Sequence, residues 1–109
     1  GPAKPETLMC LDALAEVLRA TGRHREAATC FGRSLEAREE TLGPAHPETL
    51  ACMERFMEET QAAGRRGEIE PLRRRQLEQL EATLGPGHPE TLTCFRRLAG
   101  LVQQEGRAQ

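Results

Sequence analysis

The sequence has no Trp and no Tyr, and its only aromatics are three Phe. A core must therefore be built from Leu, Ala, Met, Ile, Val, Cys and those few rings, which favours closely packed helices with small residues between them. No run of about 18 apolar residues exists, so no segment reads as a membrane-spanning helix, and no signal peptide is visible. An excess of one charge is also missing. Lys and Arg number 15 against 17 Asp and Glu, for a net charge of −2, where a nucleic-acid or membrane binder normally carries a basic surplus. Cys10, Cys30, Cys52 and Cys94 form no C-x-x-C pair, which argues against a zinc site and against any metal or other cofactor. There is no Gly-rich phosphate loop and no His-x-x-x-His, and the sole serine, Ser34, lies within an apolar stripe. Without a nucleophile beside a base or a carboxylate pair, the chain is not expected to be an enzyme.

What the sequence does contain is a repeat. Leu42-Gly43-Pro44-Ala45-His46-Pro47-Glu48-Thr49-Leu50 returns as Leu84-Gly85-Pro86-Gly87-His88-Pro89-Glu90-Thr91-Leu92, with eight of nine positions identical at an offset of 42. The same offset relates Pro5-Glu6-Thr7-Leu8 to both segments. It also relates Cys10 to Cys52 and Cys94, and Gly22-Arg23 to Gly64-Arg65 and Gly106-Arg107. Gly1-Pro2 can be read as a tag scar, or as linker sequence aligned with Gly43-Pro44.

Each repeat predicts two helices. The first begins at the Pro of Pro-Glu-Thr-Leu, since proline suits the first helical turn and the following Glu suits the positive end of the helix dipole. Leu8, Leu11, Leu14, Ala15 and Leu18 form its apolar stripe in repeat one, and Gly22 fits a left-handed C-terminal cap. The second helix carries Ala27, Cys30, Phe31, Ser34, Leu35 and Leu42, and Gly43-Pro44 stops it. The final stretch carries Leu92, Phe95, Leu98, Ala99, Leu101 and Val102. The fold class is thus all-α, an α-α superhelix or solenoid. Five antiparallel helices are expected near 5–21, 25–42, 47–63, 68–84 and 89–105. The division is a single domain over 1–109, with repeat one at 5–46, repeat two at 47–88 and partial repeat three at 89–109. Because a lone hairpin cannot bury its apolar face, the chain is expected to have been cut from a longer array.

These linkers and turns resemble the tetratricopeptide repeats of kinesin light chains and nephrocystin-3-like proteins, whose unit pairs an inner and an outer helix across a Gly-Arg turn. The resemblance covers essentially the whole chain. It implies a protein–protein interaction scaffold or adaptor that binds a partner peptide or helix in a concave groove lined by inner helices. The alternative is a structural module that self-associates through the array ends. The groove candidates are Asp12, Glu16 and Arg19, then Glu54, Arg55 and Glu58 (with Glu59), then Arg96 and Arg97. Many members carry Asn where this chain has Ala13, Arg55 and Arg97. Arg55 and Arg97, at equivalent sites of inner helices about 10 Å apart, could grip an acidic partner. Glu54, Glu58 and Glu59 would instead select a basic one.

The remaining motifs have simpler readings. His46 and His88 are expected to cap the helices their linkers begin. Cys10, Cys52 and Cys94 are expected to be small packing residues, reduced, in an intracellular, cytoplasmic protein. Arg73-Arg74-Arg75 reads as a solvated convex face with neighbouring Glu. His24 has no assigned role. Repeat two has Met57 and Ile69 where repeat one has Ala15 and Ala27, which predicts a wider hairpin.

Overall fold

A computed structural model describes residues 5–108, so Gly1 and Pro2 lie outside the described residues. The described chain forms α1 (Pro5–Ala20), α2 (His24–Leu42), α3 (Pro47–Ala62), α4 (Ile69–Leu84) and α5 (Pro89–Ala108), with a 3-10 turn at Arg66–Glu68 before α4. Among the described residues there is no strand.

The repeated signals act through the same atoms in each copy. His46 and His88 sit just ahead of α3 and α5. Each ring Nδ1 accepts a hydrogen bond from the backbone N–H two residues on, Glu48 and Glu90 respectively, at 3.1 Å. That satisfies an N–H which the first helical turn would otherwise leave orphaned. At the other end, Gly22 and Gly64 take positive φ of 80° and 85°. Arg23 N–H then reaches Leu18 O at 2.8 Å and Arg65 N–H reaches Thr60 O at 3.0 Å. These closures tie off the last carbonyls of α1 and α3. Gly106 departs from the pattern. It lies inside α5, which runs on to Ala108, past the expected end at 105.

The chain divides into two compact units, residues 1–65 and 66–109, so that repeat two contributes α3 to the first and α4 to the second. In the first unit α2 packs against α1 on one side and α3 on the other. Its centre is Ala15, Leu18, Ala27, Cys30 and Phe31, with Phe56 of α3 packed against it. Ala15 and Ala27 are wholly buried, and their small side chains let α1 and α2 approach closely. Gly32 does the same for α3, because a Cβ there would stand 3.1 Å from the Phe56 ring.

In the second unit α4 packs against α5. Its buried residues are more polar, with Arg73, Gln76 and Thr91 beside Leu80, Cys94 and Leu98. This corrects the solvated reading of Arg73. Position 73 is the repeat equivalent of Phe31, so the helical register places it at the helix interface, and its guanidinium donates to Gln76 Oε1 at 2.9 Å. Arg74 does point to solvent, paired with Glu70 at 3.1 Å.

Five large stripe residues expected inside are also outside: Leu14, Leu42, Leu92, Phe95 and Val102, of which Leu14 at 51% and Phe95 at 57% are the most exposed. A helix of this kind presents two apolar faces, and among the described residues only one face of α1 and one of α5 has a helix against it.

Candidate partner-binding face

The inner helices of the first unit, α1 and α3, bring four of the predicted residues into one exposed chain of charges. Glu16 pairs with Arg19 one turn along α1 at 3.0 Å, and with Arg55 of α3 at 3.7 Å. Arg19 in turn lies 4.0 Å from Glu58 of α3. All four side chains are between 40% and 65% exposed, so these pairs are screened and each adds little to stability. The arrangement leaves Glu16 shared between two guanidinium groups, and a partner carboxylate could replace it at small cost. Glu54 lies on the same helix as Arg55 and Glu58, half-buried.

Asp12 sits one turn before Glu16 and is held differently. Its carboxylate accepts from Arg38 of α2 at 2.7 and 3.3 Å, and from Ser34 Oγ at 3.0 Å. Arg38 Nη1 also donates to Ser34 Oγ. The hydrogen bond to Asp12 raises the Arg38 pKa further above its ordinary value, with burial opposing it. Arg38 thus fixes Asp12 in place, and the two line a hollow of about 240 Å³ with Glu48, Ala51, Cys52 and Arg55. Sequence reasoning did not single out Arg38. The signal that could have found it is the antiparallel register of α1 and α2, which sets an acid at 12 against a base at 38.

Arg96 and Arg97 lie on α5 in the second unit, and both are exposed. Arg96 has no ion pair among the described residues, unlike its repeat equivalent Asp12. His24, left without a role by the sequence, is the first residue of α2, and its Nδ1 lies 3.0 Å from Glu59 Oε1 of α3. Glu59 is only 4% exposed, so it belongs to the interior rather than to the groove face. Nothing in the sequence marks this pair, because its members are far apart in the chain and neither repeats.

The cysteines keep their register in two of three copies. Cys52 Sγ points to Phe31 O and Cys94 Sγ to Arg73 O, each at 3.6 Å and each one repeat from the other. Cys10 is the correction. It is exposed, since among the described residues no helix precedes α1 to cover it. All four thiols are free, and burial pushes the Cys52 thiol above its ordinary pKa, with Ser34 and Arg38 opposing the shift. A thiol reagent at neutral pH should therefore modify one cysteine quickly and the other three only on unfolding. Cys10→Ser should abolish the fast phase, and its persistence would show that a buried thiol had been misplaced. The described residues gather no group of three or more His, Cys, Asp or Glu able to hold a metal ion. None of their helices is long and apolar enough to cross a membrane.

Comparison with known proteins agrees with this geometry. A family model described as tetratricopeptide repeat matches residues 7–48, one full period of the sequence. Among solved structures, the chain is similar to nearly identical TPR-like repeats of a protein described as a kinesin light chain of Podosopora anserina. The TM-score is 0.81 at 25% identity, over 98% of this chain and 50% of that one, so the chain spans half the length of that structure. No curated protein matches it. The chain is thus similar to tetratricopeptide repeats over residues 7–48, and the Gly-Arg closure of that period recurs one repeat later.

Proposed function

We propose that the chain is a protein-binding scaffold, not an enzyme, and that it seats an extended or helical partner segment on its inner-helix face. Tetratricopeptide repeats generally mediate protein–protein interaction. The reading treats 5–46, 47–88 and 89–109 as successive units of one array, with no cofactor, in a cytoplasmic setting where its thiols stay reduced. The observation that carries it is the loose charge chain Glu16, Arg19, Arg55 and Glu58, in which Arg55 holds its carboxylate at 3.7 Å beside a polar hollow. An acidic partner side chain exchanges with Glu16 and gains a guanidinium already oriented by the helix. Arg97 offers the equivalent position on α5.

An acidic and a basic peptide titrated against wild type, against Arg55→Ala/Arg97→Ala and against Arg74→Ala test this. The acidic peptide should bind more tightly. Its affinity should fall as salt rises, because exposed charges are screened over about 10 Å at moderate ionic strength. The double variant should weaken it about tenfold, and Arg74→Ala should do little. Tighter binding of the basic peptide, untouched by the double variant, would mean that the glutamates govern the face. A second reading, self-association through the array ends, is favoured by Met9, Leu14 and Val17 of α1, which are 72%, 51% and 60% exposed. Sedimentation at rising concentration detects it.

A further inference from the structure

The two linker histidines hold helix starts by an atom that a proton can take away. His46 stands ahead of α3 and His88 ahead of α5, and each Nδ1 accepts the backbone N–H two residues on at 3.1 Å. An imidazole accepts there only while that nitrogen is unprotonated and its proton sits on Nε2. An imidazolium has two donors and no acceptor, so protonation removes the bond outright. It also brings a positive charge to the positive end of the helix dipole. Among the described residues neither ring has an ion pair. The charged groups on the elements that meet at His46 are Glu39 and Glu40 of α2 and Glu48 of α3. At His88 they are Glu78 and Glu81 of α4 and Glu90 of α5, and the last turns of α2 and α4 carry no basic residue. These carboxylates attract an imidazolium but cannot give it an acceptor.

What the caps hold is packed. Thr49 and Thr91, in the first turns of α3 and α5, are each 2% exposed, and Thr91 Oγ1 donates to Leu80 O of α4 at 3.5 Å. Opening the start of α5 therefore lifts a buried side chain off α4. His24 answers a proton the other way. Its Nδ1 faces the buried Glu59 carboxylate at 3.0 Å, and an imidazolium donates there with a full charge, which strengthens the bond. The other charged groups where α1, α2 and α3 meet are Arg19, Arg23, Arg25, Glu26, Glu58 and Arg65. Arginines and exposed carboxylates titrate outside the imidazole range, so they keep their charge as the ring changes. The first unit thus holds one cap and one opposing pair, and the second holds a cap alone.

We propose that the linker histidines are acid-sensitive latches on the inner helices. They release the first turns of α3 and α5 as imidazole takes up a proton just below neutral pH. The second unit yields first, because only the first has the His24–Glu59 pair to offset the loss. Stability held by the caps is present above the imidazole range and lost as pH falls through it, and that held by His24 and Glu59 grows over the same interval. The effect needs no partner, so this inference stands or falls apart from the partner-binding reading.

The test is amide hydrogen exchange of the full chain by nuclear magnetic resonance, under reducing conditions, with protection corrected for the intrinsic pH dependence of exchange. Between about pH 7.5 and about pH 5.5, protection at Leu80 in the second unit should fall about fivefold, the worth of one cap, while protection at Phe31 in the first holds within about twofold. The Glu90 amide resonance should move in step with titration of the His88 ring. His88→Asn and His88→Ser supply caps that do not titrate, and either should hold Leu80 protection constant. His24→Gln keeps a donor for Glu59 but gains no charge in acid, so Phe31 protection should now fall as well. The proposal is overturned if Leu80 loses as much in both His88 variants as in the wild type, if Phe31 and Leu80 fall equally in the wild type, or if the Glu90 amide stays fixed while His88 titrates.

Discussion

Replacing Phe31 with alanine should be the most damaging single change in the first unit, at about 3–5 kcal/mol, the cost of deleting a buried aromatic and leaving a cavity. Phe31 is 1% exposed at the junction of α1, α2 and α3, with Ala15, Leu18 and Ala27 around it and Phe56 packed on the same cluster. Those neighbours are already small, so they cannot collapse far into the space left behind. A loss of this size is a large share of the roughly 5–15 kcal/mol that holds a whole domain. Phe95→Ala provides the contrast. The residue type is the same, but at 57% exposure the ring is mostly in water, and the change should stay within about 0.5 kcal/mol. Urea unfolding followed by helical circular dichroism separates the two. Equal losses from both variants would show that the assignment of core and surface is wrong.

His24→Ala should follow, at about 2–3 kcal/mol, because it strands the Glu59 carboxylate in the interior. Among the described residues the imidazole is the hydrogen-bond partner of the Glu59 carboxylate, at 3.0 Å, and Glu59 is 4% exposed. Most of the loss comes from the charge left behind and little from the bond itself. His24→Ala/Glu59→Leu should therefore be more stable than His24→Ala alone, by about 1 kcal/mol or more, since removing both partners removes the penalty. A double variant no better than the single one would place the cost elsewhere, in the packing of the ring at the start of α2.

Much of this fold was legible in the sequence for a local reason. Pro-Glu-Thr-Leu, the His of each linker and the positive-φ glycines act within a few residues of themselves, so helix starts and stops fell where expected, to within three residues. The histidine caps are of the same kind, since ring and N–H are two residues apart. Of the candidate face, the helical spacing of Glu16 and Arg19 on α1, and of Arg55 and Glu58 on α3, was enough to propose one charged surface. Their linkage through Glu16–Arg55 at 3.7 Å required the two helices to be side by side.

The apolar stripes show where local reading runs out. Periodicity identifies which residues share a face of a helix, but two such faces exist on α1 and on α5, and only a neighbouring helix decides which one is buried. That is why Leu14 and Phe95 are in water while Leu18 and Leu98 are not. It is also why Cys10 is exposed although Cys52 and Cys94, its copies, are inside. The sequence by itself determined the all-α class, the period, the ends of the helices and the polar positions of the inner ones, because each depends on backbone conformation or on hydrogen bonds a few residues long. Tertiary structure alone decided that Arg38 fastens Asp12, that His24 meets a buried Glu59 and that Arg73 lies within the packing of α4 and α5. Each of these joins residues on different helices, and their meeting depends on how closely small side chains let those helices approach.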